Sequence, residues 1–180
     1  MTGVDASTVI AALIARGASV STAESLTGGL VCAELTSVPG SSAVVRGGVV
    51  SYSVAVKAGV LGVDSDLLER QGAVDPAVAV QMAVGACRVM GSDYAVATTG
   101  SAGPDPDPGG PMTGPIPPGH GFVAVAGPGV EVVVGFSCEG QDRVGVRRHA
   151  VDAALALLGR VLAETGDDRR SSAGAGSVGP

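Results

Sequence analysis

Lys57 is the only lysine in a chain of 180 residues, and the other ten basic residues are all arginine. Codon bias produces scarcity of this kind. A single retained lysine still marks a place to look for chemistry that a guanidinium cannot do, because an ammonium loses its proton at a reachable pH. With Ser53 as N-cap, Lys57 falls near the first turn of a short helix, where the dipole disfavours a cation by about 0.3–1 kcal/mol. Its neighbours Val54, Ala55, Val56, Ala58 and Val60 are apolar and add desolvation. Both effects push the ammonium towards its neutral form, which can act as general base to a serine hydroxyl. Taken by itself, Lys57 also fits a surface lysine with its head in water.

A matching hydroxyl lies in Thr22-Ala-Glu-Ser-Leu-Thr-Gly-Gly29. This stretch ends an apolar alternating run and opens a helical pattern at Leu30. A strand that turns into a helix exposes free backbone N–H groups and the positive end of the helix dipole. Ser25 sits in the turn, where an anion site, a serine nucleophile and a helix cap are all open readings. As a nucleophile it has oxyanion donors at hand in the N–H groups of the Leu26–Gly29 turn. The turn lacks the G-x-S-x-G of a nucleophile elbow. His120 ends a long loop and His149 falls mid-helix, so a Ser-His-Asp triad is poorly supported. Arg143 and Arg147, four apart near the start of the last helix, suit a phosphate or carboxylate clamp or a solvated basic face. The Gly100–Gly110 loop has neither the Lys-Ser/Thr of a P-loop nor G-x-G-x-x-G.

The elements that must position these residues can be read from periodicity and punctuation. Asp5–Arg16 is an amphipathic helix stopped by Gly17, and Ala18–Ala23 a strand. A helix follows over Gly28–Thr36. Val44–Ser51 is a strand with Gly47-Gly48 marking a bulge. Ser53 and Asp64 cap short helices, and Asp75-Pro76 starts one running to about Met90. Asp93–Thr98 is a strand that empties into a proline- and glycine-rich loop over 103–119, long enough to be functional or disordered. Phe122–Ala126 and Val130–Phe136 form a hairpin, and Asp142–Leu162 is the longest helix. The fold class expected is α/β: a three-layer α/β/α sandwich on a mixed, mostly parallel sheet with one antiparallel hairpin. Residues 1–165 form one domain, and 166–180, with little to bury, read as a disordered tail.

Composition narrows the function. With 2% aromatic residues and a net charge of −6, nucleic acid is excluded as a partner on stacking and charge grounds. No apolar run spans a bilayer and no basic leader segment precedes one, so a cytoplasmic location is expected. Three scattered cysteines offer neither a disulfide framework nor a C-x-x-C zinc pattern. No metal or cofactor is expected, and a homo-oligomer is left open.

Taken together, these stretches resemble the C-terminal domain of the competence/damage-inducible CinA proteins, the nicotinamide-nucleotide amidases. The resemblance rests on Thr22–Gly29, Pro39-Gly-Ser-Ser42, Gly48-Val-Val-Ser-Tyr-Ser53 with Lys57 after it, and Gly72-Ala-Val74. Asp93-Tyr-Ala-Val96, Thr99-Gly-Ser-Ala-Gly-Pro-Asp105 and Arg143 through Arg147-Arg148 follow in the same order. It implies hydrolysis of the carboxamide of nicotinamide mononucleotide by a Ser25–Lys57 pair, with Tyr52 and Arg147 as supporting polar groups; Tyr52 is expected to act in catalysis, by positioning Lys57 or donating to the leaving ammonia. The substrate-binding set expected on this reading is Thr27, Gly28, Gly29, Gly100, Ser101, Arg143 and Arg147. The family's pyrophosphatase-linked partner domain has no counterpart in these 180 residues, so the chain looks like the stand-alone form. Departures are Leu26 in place of a cysteine, an insertion at Gly140-Gln-Asp-Arg143, and the expanded loop ending Pro117-Pro-Gly-His-Gly-Phe122. The altered loop keeps two rivals in view: a nucleotide- or phosphate-binding module without catalysis, and a Ser–Lys amidase acting on another small carboxamide.

Overall fold

In the computed structural model, which describes residues 4–173, five strands form one sheet in the order β2-β1-β3-β4-β5. They are β1 (Val20–Glu24), β2 (Val45–Val50), β3 (Tyr94–Gly100), β4 (His120–Gly127) and β5 (Val130–Ser137). The helices are α1 (Ala6–Arg16), α2 (Leu30–Thr36), α3 (Val54–Gly59), α4 (Ser65–Gln71), α5 (Pro76–Met90) and α6 (Arg143–Ala173). The caps expected at Ser53, Asp64 and Asp75 form, and Asp5, read as the first residue of its helix, caps α1 instead. Asp5, Ser53, Asp64 and Asp75 each accept from backbone N–H groups of the first turn they precede.

The α/β class and helices on both faces agree with the sequence; the balance of strand directions does not. β1 pairs in parallel with β2 and β3, whereas β3–β4 and β4–β5 are both antiparallel. The sheet is therefore half parallel, and its antiparallel part is a three-strand meander rather than one hairpin. The cause is the connection after β3. A parallel neighbour needs a crossover, usually helical. The 101–119 segment contains no helix and brings the chain back at the end where β3 left. The bulge also falls slightly earlier than expected, with Val45 opposite Val20 and Gly47 opposite Ser21, so Arg46 is the unpaired residue. The backbone of α6 runs past 166, where the tail was expected; 174–180 lie outside the described residues.

The two faces of the sheet differ in side-chain size. Val20, Tyr94, Val96, Val123 and Val125 pack against α1, α2 and α6. The other face is floored with Ala23, Ala95, Ala97, Ala124 and Ala126, under Val78, Ala79, Met82, Ala83 and Ala86 of α5. Small floor residues let α5 lie close to the sheet. The turn after α3 crosses α5 at Gly85, where a Cβ would stand 2.1 Å from the Leu61 carbonyl oxygen. This crossing holds α3, and with it Lys57, against the body of the domain.

Topology then fixes the site. From β1 the chain moves to β2 by way of α2 on one face, and from β2 to β3 through α3–α5 on the other. The connections part at the C-terminal end of β1, the kind of switch point where open α/β sheets bind ligands. Ser25 follows β1, Ser51 to Lys57 follow β2, and Gly100 to Pro108 end and follow β3.

Candidate active site

Lys57 has no exposed surface. Its Nζ lies 3.0 Å from Ser25 Oγ and donates to the Ser51 carbonyl at 2.7 Å. Burial lowers its pKa from the ordinary lysine value to about 8, against an opposing pull from the Asp107 carboxylate. The dipole argument made from the sequence needs correction. Helix α3 has only six residues, so Lys57 stands in its last turn as well as near its first. Desolvation, not the helix, accounts for the shift.

Ser25 is held by its own backbone, whose N–H donates to the Thr98 carbonyl at 3.0 Å on β3. The turn beyond it is organised by a residue that sequence reading passed over. Glu24 is 1% exposed, and its side chain folds back over the start of α2. Oε2 accepts from Gly29 N–H at 2.8 Å and Val31 N–H at 3.1 Å; Oε1 accepts from Cys32 N–H at 2.8 Å and Thr22 Oγ1 at 3.0 Å. The helix end, for which an anion site was one of three open readings, is therefore occupied by the protein's own carboxylate. Gly28 N–H is also taken, by the Ser25 carbonyl at 3.1 Å. Of the turn N–H groups proposed as oxyanion donors, those of Leu26 and Thr27 are left without an acceptor among the described residues.

Arg147 clamps the same turn from α6. Its Nε donates to the Leu26 carbonyl at 3.0 Å and a terminal nitrogen to the Thr27 carbonyl at 2.8 Å. Arg143, one turn earlier, donates to the Gly103 carbonyl at 2.8 Å and to Tyr52 Oη at 2.7 Å. Each of its two terminal nitrogens makes one such bond, which leaves three of the five guanidinium donors for a ligand. Arg148 faces elsewhere, paired with Glu34 and Asp152.

These groups surround a cavity of about 250 Å³. It brings together Ser25, Leu26, Tyr52, Lys57, Gly100, Ser101 and Arg143 of the residues singled out from the sequence. Thr27, Gly28, Gly29 and Arg147 are not on its wall. Thr27 is buried with its hydroxyl 2.7 Å from Thr98 Oγ1, and Gly28 packs against the Arg147 guanidinium. Asp105 and Asp107, which the sequence reading did not single out, line the cavity. So does Thr99, whose hydroxyl donates to the Ala73 carbonyl at 2.6 Å. The 103–119 loop is folded, not loose. Its Asp107 and Ile116 exchange backbone bonds, and Met112 N–H and Thr113 Oγ1 donate to the Arg70 and Gln71 carbonyls at the end of α4.

Neither histidine takes part. His120 Nε2 is 3.2 Å from Ser137 Oγ and 3.5 Å from Glu139, while His149 meets the Phe136 ring at a tilt of 52°. A serine–histidine triad on Ser25 is ruled out by position. Among the described residues, no group of three or more His, Cys, Asp or Glu side chains is placed to hold a metal ion. No helix among them is long and apolar enough to cross a membrane.

A hydroxyl and a buried lysine thus lie at hydrogen-bond distance at the switch point of a five-stranded α/β sheet. Residues 4–162 match the CinA C-terminal domain family, and the chain belongs to it. It is 41% identical over 169 residues to a CinA-like protein of Frankia casuarinae, covering 94% of this chain and 37% of that relative. The chain thus spans little more than a third of such longer relatives. It is 44% identical over 147 residues to the nicotinamide-nucleotide amidohydrolase PncC of Escherichia coli K12, covering 82% of this chain and 86% of PncC. Among solved structures, a CinA superfamily protein from Klebsiella pneumoniae 700603 superposes with a TM-score of 0.80 at 35% identity, over 88% of this chain and 96% of the other. The Agrobacterium tumefaciens competence/damage inducible protein gives 0.79 at 36% identity, over 87% and 92%.

Proposed function

We propose that this chain is an amidohydrolase that deamidates nicotinamide mononucleotide to nicotinate mononucleotide and ammonia. The observation that carries the reading is the 3.0 Å contact between Ser25 Oγ and a fully buried Lys57 with a pKa near 8. At pH 7 a lysine of that pKa is neutral about a tenth of the time, against less than a thousandth for an ordinary one. Similarity to PncC over most of both chains supports the substrate.

In the proposed reaction Ser25 Oγ attacks the carboxamide carbon while Lys57 Nζ takes the hydroxyl proton. The Leu26 N–H, without an acceptor among the described residues and next in sequence to Ser25, receives the oxyanion. Collapse breaks the C–N bond as Lys57 returns the proton to the leaving nitrogen, releasing ammonia and an acyl-serine. Water, deprotonated by the same lysine, then attacks the ester carbon, and Lys57 returns that proton to Ser25 Oγ as the acyl C–O bond breaks and nicotinate mononucleotide leaves. The Ser51 carbonyl orients Lys57, and Arg147 fixes the turn that carries Ser25. Tyr52 and the spare donors of Arg143 sit at the open end, where a phosphate can be bound.

The test is ammonia and nicotinate mononucleotide formation by the purified chain, with Ser25→Ala as control. Release by the wild type and its loss in the variant are expected. Nucleotide binding without ammonia favours a non-catalytic module. Ammonia from other carboxamides but not this nucleotide shifts the substrate and keeps the mechanism.

A further inference from the structure

The cavity has an order from floor to mouth. Lys57 is fully buried at its floor, whereas Tyr52 is 61% exposed and holds Arg143, itself exposed, at the opening. Asp107 is half-buried in the wall. Its position is fixed twice over. Backbone bonds to Ile116 run both ways, at 3.0 and 2.8 Å, and Oδ1 accepts from Gly109 N–H at 2.9 Å. Yet the carboxylate forms no ion pair among the described residues. A fixed carboxylate with no ion pair, on the wall of a ligand cavity, is placed to receive a positive charge on the ligand.

We propose that Asp107 is a specificity residue that selects a substrate whose amide-bearing ring carries a positive charge. The inference rests on the amidohydrolase reading above and deepens it. With the carboxamide at Ser25 and a phosphate at Arg143, the ring between them lies along the wall that Asp107 occupies. A ribosylated nicotinamide is a pyridinium cation; its 1,4-dihydro form is neutral with nearly the same shape.

The same charge acts on the base. The charged and titratable groups around Lys57 are Ser25 after β1, Tyr52 after β2, Asp105 and Asp107 from the loop, and Arg143 from α6. Asp107 favours the ammonium form of Lys57. A cationic ring beside Asp107 cancels that field and releases Lys57 to its neutral form, so the correct substrate switches on its own base.

Binding to the Ser25→Ala protein, which traps substrate, provides the test. Calorimetry should give a Kd for the oxidised mononucleotide about tenfold or more below that for the dihydro form. Adding Asp107→Asn, whose amide oxygen can still accept from Gly109, should erase most of this preference by weakening the oxidised form alone. Asp107→Glu should retain part of it, and Asp105→Asn should change it less. In the Ser25-containing enzyme, Asp107→Asn should move the acid limbs of both kcat/KM and kcat to lower pH, because the pull of the carboxylate on Lys57 is lost in the free enzyme and in the complex alike. Equal weakening of both forms by Asp107→Asn, or no preference to begin with, overturns the assignment. Absence of ammonia from the oxidised nucleotide with wild-type protein brings down the amidohydrolase reading and this inference with it. Normal ammonia release without a charge preference removes Asp107 alone.

Discussion

Replacing Glu24 by Gln keeps the shape of the side chain and removes one acceptor end. The carboxylate now serves four donors: Gly29, Val31 and Cys32 N–H and the Thr22 hydroxyl. In the best rotamer the amide oxygen keeps Gly29 and Val31. The NH₂ then faces Cys32 N–H and the Thr22 hydroxyl, which can rotate and accept, while Cys32 N–H cannot. One buried N–H loses its partner at about 1–3 kcal/mol, and the anion lost from the start of α2 adds about 0.3–1 kcal/mol or more. The total is about 3 kcal/mol, or a fall in Tm of about 6–12 °C for a chain of this size. Urea unfolding of wild type and Glu24→Gln measures it directly. Because the same network shapes the turn that bears Ser25, ammonia release should fall as well, at pH values where both proteins are folded. A stability change below about 0.5 kcal/mol with unaltered turnover would refute the role given to this carboxylate.

Lys57→Met should gain stability while losing all activity. The folded pKa near 8 lies below the unfolded value near 10.5. Below pH 8 both states hold the proton and the burial cost is present in full. As pH rises from 8 to 10.5 the folded state sheds its proton first, and the cost is relieved. Lys57→Met should therefore be more stable than wild type by about 1–2 kcal/mol at pH 7, after loss of the bond to Ser51, with the gap closing by pH 10 in thermal melts. Gly48→Ala places a Cβ 2.2 Å from Thr22 Oγ1, within the Glu24 network, and should cost about 1–3 kcal/mol by denaturant titration. Arg147→Ala frees the Leu26 and Thr27 carbonyls and should lower kcat more than it raises KM for the nucleotide, whereas Arg143→Ala should act mainly on KM; the reverse split in steady-state kinetics would exchange their roles.

Much of this was legible in the chain. Ser25 and Lys57 could be paired because a sole lysine and a small polar strand-to-helix turn each carry a local signal, and the caps at Ser53, Asp64 and Asp75 are local by nature. Glu24 was not legible, since a glutamate next to a serine at a strand end is ordinarily solvent-exposed. Its role depends on the backbone turning so that one side chain at the end of β1 meets three N–H groups at the start of α2. The division of labour between Arg143 and Arg147 depends on the angle at which α6 crosses the β1 turn, which i, i+4 spacing leaves open. The direction of β4 was missed because composition marks the 103–119 segment as loop without saying at which end of the sheet it returns. Asp107 was invisible for the same reason: nothing in a run of Pro, Asp and Gly tells which carboxylate folds inward.

The central claim is that Lys57, buried against Ser25, is the base. The most direct test is kcat/KM for ammonia release from nicotinamide mononucleotide across pH 6–10, for wild type and Lys57→Arg. The account predicts an acid limb with an apparent pKa near 8 and near-complete loss of turnover in Lys57→Arg at every pH. A limb near 6.5, the range of histidine, or appreciable turnover by Lys57→Arg, would contradict it.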